Sequence, residues 1–255
     1  MYIMLQIGFL IVAVLFLLKA VMRTIRRKIR LAKEYKQRQQ IGKRGEEDTV
    51  RQLERCRGYK RILRNLYVPV ADGKNTTEID AVMIHEKGII VLENKNYAGK
   101  IYGDEDEFQW IQVQKNGRKK LKKHFYSPVK QNQAHIQHLK RYLLGAAKEQ
   151  ETLKKMSPQL LPYLSFITFN DSARLKWISI HSEDILVTES RKVRRRLRWR
   201  LRQMPRALTR TQVDELYGML RPLEHPGKYV KRQHERYAAH GKEGRNFPGT
   251  FTKNT

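Results

Sequence analysis

Residues 76–96, TTEIDAVMIHEKGIIVLENKN, constrain the fold more than any other stretch of the chain. Two apolar runs flank a short polar turn. With the turn at Glu86-Lys87, an antiparallel hairpin pairs Ile84 with Ile89 and sets Asp80 opposite Glu93. One face then carries Val82, Ile84, Ile89 and Val91, and the other carries Ile79, Ala81, Met83, Ile90 and Leu92. A strand pair that is apolar on both faces must be covered on both faces. It therefore belongs at the centre of a sheet lying between other layers.

The flanking sequence supplies those layers. Residues 42–57 repeat Val50, Leu53 and Cys56 at helical spacing and stop at Gly58. Residues 61–70, RILRNLYVPV, read as a strand, and 71–75 as a turn. Residues 108–114 and 119–125 flank an Asn-Gly turn, a strong hairpin signal. Ser127-Pro128 opens a helix over 128–144, with Ile136, Leu139 and Leu143 on one face. SFITFN (165–170) and DILVTE (184–189) are strand-like, and helical patterns cover about 190–203 and 209–220. The order predicts an α/β domain over 41–222, one mixed central sheet flanked by helices. Without its two ends the chain keeps about 180 residues, enough for one real core.

Asp80, Glu93 and Lys95 sit inside the hairpin as ionisable exceptions. Opposed residues have Cβ atoms about 5 Å apart, and residues two apart on a strand share a face. Two adjacent carboxylates repel, and one pKa should rise. A divalent cation resolves that conflict, and oxygen ligands suit Mg²⁺ or Mn²⁺. From spacing alone two readings stand. One is a metal site with Lys95 beside it. The other is a structural cluster, with Lys95 paired to one acid and the second acid exposed at the strand end. His85 and Lys87, in the turn, are expected to be solvated. His135 and His138 have i, i+3 spacing but no evident third ligand, so no zinc site is expected.

Charge points to a polyanionic partner. The chain has 53 Lys and Arg against 25 Asp and Glu, a net +28. Lys115, Arg118, Lys119, Lys120, Lys122 and Lys123 crowd one hairpin. Residues 191–202, RKVRRRLRWRLR, space Val193, Leu197 and Leu201 as an apolar stripe and turn Arg194, Arg195 and Arg198 outward. These groups are candidate phosphate contacts. They could instead lie on anionic lipid. Trp199, on the arginine side, either stacks on a base or packs locally. The single cysteine, Cys56, excludes a disulfide framework and is expected to be a packed thiol.

The ends read differently. Residues 3–22 hold an apolar run of about 20 residues, long enough as a helix to span a bilayer. No Lys or Arg precedes the run and no small-residue cleavage site follows it, so an uncleaved single-pass anchor (1–22) is expected rather than a signal peptide. Residues 23–38 hold eight Lys or Arg and one Glu, which keeps this basic linker (23–40) and the body cytoplasmic, with the N-terminus outside the cell membrane. Residues 223–255 are polar and basic, with Gly and Pro but no apolar period, and read as mostly disordered.

Asp80, then twelve residues, then Glu93-Asn94-Lys95 resembles the core of the PD-(D/E)xK nuclease superfamily. More closely the chain resembles the NERD, or nuclease-related domain, family over roughly 38–160. The matching pieces are Gly42-Lys43-Arg44-Gly45-Glu46, Glu78 to Val82, Gly88 to Asn96, Trp110, and Ser127-Pro128-Val129-Lys130-Gln131. The superfamily's usual Pro-Asp pair is absent, since Ile79 precedes Asp80. The resemblance implies a restriction-endonuclease-like fold and metal-dependent attack of water on a nucleic-acid phosphodiester, with DNA the expected substrate. It implies Asp80 and Glu93 as metal ligands and Lys95 as the catalytic lysine. Glu46 would position the metal or a water, and Gln131 would line the site. Two other readings remain: a nucleic-acid-binding membrane protein without turnover, and a basic membrane-surface scaffold. The scaffold leaves the acids of the hairpin unexplained.

Overall fold

A computed structural model describes residues 2–70, 75–117, 119–147, 160–224, 226–227, 229–234 and 236; the side chains of 2–14, 38, 39, 116 and 147 lie outside that description. The chain divides into two compact units, residues 1–44 and 45–255. The first unit is helical. Its described residues belong to α1, which runs Tyr2–Glu54. The basic stretch read as a linker is therefore part of a helix. Among the described residues no helix is long and apolar enough to cross a membrane. The expected span over 3–22 falls mostly on residues whose side chains are outside the description.

The second unit holds two sheets rather than the one expected. The first contains β1 (Lys60–Pro69), β2 (Thr76–His85), β3 (Gly88–Lys95), β7 (Tyr163–Phe169) and β9 (Ile185–Glu189), in the order β1-β2-β3-β7-β9. β1 to β3 form an antiparallel meander, and β7 and β9 join it in parallel. The second sheet has the order β6-β5-β4-β8, from β4 (Gly99–Asp104), β5 (Gln109–Asn116), β6 (Lys119–Tyr126) and β8 (Ala173–Ser179). Its Asn-Gly hairpin joins β5 to β6 as the sequence predicts. β4 and β8 were not expected. β4 is short and begins at a glycine. β8 alternates weakly, with Lys176 and the partly covered Trp177 adjacent and neither buried.

Helices cover both faces of the first sheet. α2 (Pro128–Ala147) and α4 (Arg210–Leu220) pack Ile136, Leu139, Leu143, Val213 and Leu216 against Val82, Ile84, Ile89 and Val91. The other face packs Ala81, Met83, Ile90 and Leu92 against Val50 and Leu53 of the α1 end, Cys56 just after it, and Val193, Leu197 and Leu201 of α3 (Val193–Gln203). Cys56 is buried, as a packed thiol should be. The predicted central strand pair is thus buried on both sides. Full burial of each such aliphatic side chain contributes about 1.5–3 kcal/mol. A third cluster, with Ile101, Trp110, Val129, Ile167 and Phe169, draws on both sheets and the start of α2. In it Trp110 stacks on Phe169 with ring centroids 6.1 Å apart.

The hairpin turn corrects one expectation. His85 is 1% exposed: its Nε2 lies 2.9 Å from the Arg57 carbonyl, and its Nδ1 accepts from the Lys87 N–H at 3.1 Å. Lys87 Nζ donates to the Leu201 and Met204 carbonyls at the end of α3, 2.5 and 2.7 Å away. Neither residue is merely solvated; both tie the turn to neighbouring elements. Within the C-terminal stretch, 229–234 is helical, and His234 Nδ1 lies 2.9 Å from the Thr76 carbonyl, its ring edge-on to Tyr67. Residues 237–255 lie outside the described residues.

Candidate active site

The ionisable cluster stands where β2 and β3 part. Their ladder runs from His85↔Gly88 to Ala81↔Leu92, the register the sequence predicts, and then ends. Beyond it β2 stays with β1, while β3 continues beside β7 through Glu93↔Ile167 and Lys95↔Phe169. Asp80 and Glu93 are the first residues of the two arms of this fork. Asp80 Oδ2 reaches across it and accepts from the Asn94 N–H at 2.7 Å. A carboxylate thus stands in for the missing strand carbonyl.

A break in the pleat accompanies the fork. Asn65 and Asp80 are the pair missing from the interior of the β1–β2 ladder, and Asn65 has φ 49°. Asparagine tolerates that left-handed conformation better than most side chains. Across the break the apolar phase slips in both strands. Ile79 joins the cluster of Val82 and Ile84, and Leu66 joins that of Leu63. Simple alternation had put Ile79 on the opposite face, with Ala81 and Met83. The left-handed residue and the fork together overturn that expectation.

Glu93 is 3% exposed and Lys95 is also largely buried. Lys95 Nζ donates to Glu93 Oε1 at 2.6 Å and to Gln131 Oε1 at 2.8 Å. Glu93 Oε2 is 3.3 Å from His135 Nε2 and, among the described residues, has no hydrogen bond of its own. His135 Nδ1 in turn lies 2.9 Å from Thr77 Oγ1. Gln131 and His135 are one turn apart on α2, so one helix face delivers both. The sequence of α2 explains its placement. The Ser127 carbonyl accepts from the Gln131 N–H at 3.0 Å, Pro128 takes the first position, and Val129 is fully buried. Asn132 donates to the Val91 carbonyl at 2.8 Å and to Ser165 Oγ at 3.0 Å, pinning the helix to β3 and β7.

Electrostatics set distinct protonation states. Burial, then repulsion by Glu93 and by Glu46, pushes the Asp80 carboxyl well above its usual range. Burial pushes Glu93 upward too, but Lys95 and His135 outweigh it and hold Glu93 below the ordinary value. For Lys95, burial favours the neutral amine, yet Glu93 and Asp80 outweigh it and hold the pKa above normal. Without a bound cation the site therefore favours a proton on Asp80, a Glu93 carboxylate and a Lys95 ammonium. Glu46, on α1, is half-buried and close enough to Asp80 to act on its charge, whereas Glu47 is exposed. Glu46 is thus the member of that acidic pair brought to the site.

The donor set fits a hard divalent cation. Asp80 and Glu93 offer carboxylate oxygens, and one of them, Glu93 Oε2, is buried and among the described residues has no hydrogen bond. Among the described residues no group of three His, Cys, Asp or Glu side chains is arranged to hold a metal. A cation here would take two protein carboxylates, with water and substrate oxygens completing its shell.

The basic candidates lie on the surface. Lys115, Lys119, Lys120, Lys122 and Lys123 are exposed on the β5–β6 hairpin, and Arg118 lies outside the described residues. On β6, Lys123 Nζ sits 5.5 Å from the centre of the ring of Tyr97, two residues beyond Lys95. Arg194, Arg195 and Arg198 are exposed on α3, away from its buried stripe. Trp199 is 54% exposed, so local packing does not absorb it. His135 and Thr77 were missed as site residues. The one available signal was the i, i+4 spacing of His135 from Gln131.

Comparison with known proteins bears on the same region. The family model for the nuclease-related domain, NERD, matches residues 41–170. An uncharacterized protein of Bacillus anthracis is 32% identical over 145 residues, covering 56% of this chain and 59% of that relative. The chain thus spans less than two thirds of the relative's length. No solved structure matches the chain. The matched stretch contains Glu46, Asp80, Glu93, Lys95, Gln131 and His135, and it ends before α3. The chain belongs to the NERD, or nuclease-related domain, family.

Proposed function

We propose that the chain is a membrane-anchored, divalent-metal-dependent nuclease that hydrolyses phosphodiester bonds, with DNA as its substrate. The observation that carries this reading is the convergence of Asp80, Glu93, Lys95 and Gln131 at the fork between β2 and β3. A binding surface has no need of a buried carboxylate beside a half-buried one and a largely buried ammonium at a break in a central sheet. Asp80 and Glu93 would hold Mg²⁺ or Mn²⁺, which when bound supplies a Lewis acid for the phosphate and lowers the pKa of a coordinated water.

The side chains have separable tasks. In the metal-free site Glu93 and Asp80 hold Lys95 charged, which suits it to donate to the phosphoryl oxygens. Gln131 fixes the Lys95 ammonium, and the Thr77–His135 pair orients Glu93. Glu46 would orient the attacking water. The exposed lysines of the β5–β6 hairpin and the arginines of α3 would hold the substrate backbone. Residues 3–22 would anchor the chain in the cell membrane, N-terminus outside and the nuclease domain cytoplasmic, with basic segments free to touch anionic lipid. The support for this is the apolar run followed by the basic stretch 23–38, within one continuous helix.

The test is incubation of the protein with plasmid, linear duplex, single-stranded DNA and RNA in Mg²⁺, Mn²⁺ or chelator, beside Asp80→Ala and Lys95→Ala. Metal-dependent cutting that both variants lose is the expected result. Salt-sensitive binding without cutting by the wild type would leave a nucleic-acid-binding membrane protein instead.

A further inference from the structure

α3 lies beyond the stretch matched by the family model, and its buried residues are confined to one stripe. The inner stripe, Val193, Leu197 and Leu201, is buried at 0, 0 and 5% exposure and fastens the helix to the sheet. Opposite it, Arg194, Arg195, Arg198 and Arg202 surround Trp199 and line a recess of about 480 Å³. Among the described residues no carboxylate pairs with these four arginines. The neighbouring Arg200, by contrast, reaches Glu183 at 3.3 Å. The three tryptophans also differ. Trp110 is fully buried, and Trp177 has Tyr102 stacked on it at 5.0 Å and Lys100 over its ring at 4.6 Å. Trp199 is 54% exposed, and among the described residues no ring or cation covers it.

We propose that the outer face of α3 is a binding site for single-stranded nucleic acid, with an unpaired base stacked on Trp199 and adjacent phosphates held by Arg194, Arg195, Arg198 and Arg202. This rests on the reading of the chain as one that acts on nucleic acid, and it names the form of strand that is held. Arginines alone would take any phosphate backbone. An open indole among them adds contact only for a base that has left its own stack. Duplex bases are stacked on one another and present nothing flat to it. Anionic lipid fits the face less well. An interfacial helix needs a continuous apolar side to immerse, and the apolar side of α3 is spent on the core.

The experiment uses the full chain in non-ionic detergent with chelator present, so that binding is read without cleavage. Anisotropy of a labelled oligothymidylate is compared with that of a blunt duplex of the same length, for wild type, Trp199→Ala and Trp199→Phe. Trp199→Ala should weaken the single strand about tenfold and leave the duplex unchanged. Trp199→Phe should keep most of the affinity. Quenching of tryptophan fluorescence by the single strand should vanish in Trp199→Ala. Equal losses on both substrates, or no loss on either, would overturn the proposal. So would a Trp199→Ala defect confined to phosphatidylglycerol vesicles, which would assign the face to lipid. Because the measurement needs no metal, the Trp199 effect can survive a failure to cut, and the nuclease reading would then fall alone.

Discussion

Asp80 carries the most legible chemistry in the chain and the clearest stability cost. Its carboxyl is pushed up by burial, by Glu93 and by Glu46, so the metal-free fold binds its proton more tightly than the unfolded chain does. The stability tied to that proton is complete below the unfolded pKa and is lost as pH rises through the folded one. Asp80→Asn keeps an oxygen for the Asn94 N–H and removes the charge. In chelator near neutral pH the variant should therefore be more stable than wild type, by about 1 kcal/mol, with the gap closing as pH falls. Added Mg²⁺ should raise the melting temperature of wild type but not of the variant. Lys95→Ala should lose cutting by a factor on the order of 10²–10³. His135→Ala should weaken Mg²⁺ binding about 10–100-fold, read by the same thermal shift, because Glu93 loses its buried neighbour. The difference between these residues is also the difference in what sequence could reveal. Asp80, Glu93 and Lys95 stand out as charges within an apolar hairpin. His135 matters only because α2 docks with that face toward Glu93, and helical spacing does not say which face docks. The left-handed Asn65 left no sequence signal, although it sits opposite Asp80 where the strand phase slips.

At the scale of elements, most strands and the helices α2, α3 and α4 were legible, because apolar period and turn chemistry agree in them, whereas the helical residues 229–234 fall in a stretch with no apolar period. The division into two sheets was not. Alternation marks a strand but does not name its neighbour, and β4 and β8 pair with each other across some 70 intervening residues, an order-of-magnitude separation that no local pattern bridges. Trp110 joins the sheets, stacking on Phe169 of the first. Within the second sheet Trp110 of β5 lies over Gly103 of β4, and a Cβ at Gly103 would overlap the indole. Gly103→Ala should cost about 1–3 kcal/mol in chemical denaturation, since Trp110 must leave its stack on Phe169. The β2–β3 turn gives a pH prediction. Burial lowers the His85 pKa, and its neutral ring meets Arg57 and Lys87 through both nitrogens. A second ring proton would displace the Lys87 N–H. The folded pKa lies below the unfolded one, so stability is held above the unfolded value and is lost as pH falls toward the folded one. Wild type should lose up to about 1.4 kcal/mol per pH unit in that window from this residue. His85→Gln, compared with wild type across pH, should remove that part of the slope.

On the scale of the whole molecule, the charge of +28 and the apolar N-terminal run were the first properties to narrow the function, and both extend beyond the family match at 41–170. The matched region supplies the candidate chemistry, and the flanking sequence supplies the candidate location and part of the candidate grip. The proposed topology can be tested with the chain's own composition. It has a single cysteine, Cys56, which is buried at 5% exposure and whose thiol burial pushes to higher pKa, so it should be silent to maleimides in the folded protein. Tyr2→Cys and Lys119→Cys then place one reactive thiol at either end of the proposed arrangement. In intact cells a membrane-impermeant maleimide should label Tyr2→Cys and leave Lys119→Cys unlabelled until the membrane is opened. Alkaline carbonate should leave the full chain in the membrane fraction and release a chain lacking residues 2–22. Labelling of Lys119→Cys in intact cells would reverse the orientation and remove the nuclease site from cytoplasmic nucleic acid. Release of the full chain by carbonate would reduce residues 3–22 to a surface or partner contact, and the basic stretch 23–38 would then have to hold the membrane by charge alone.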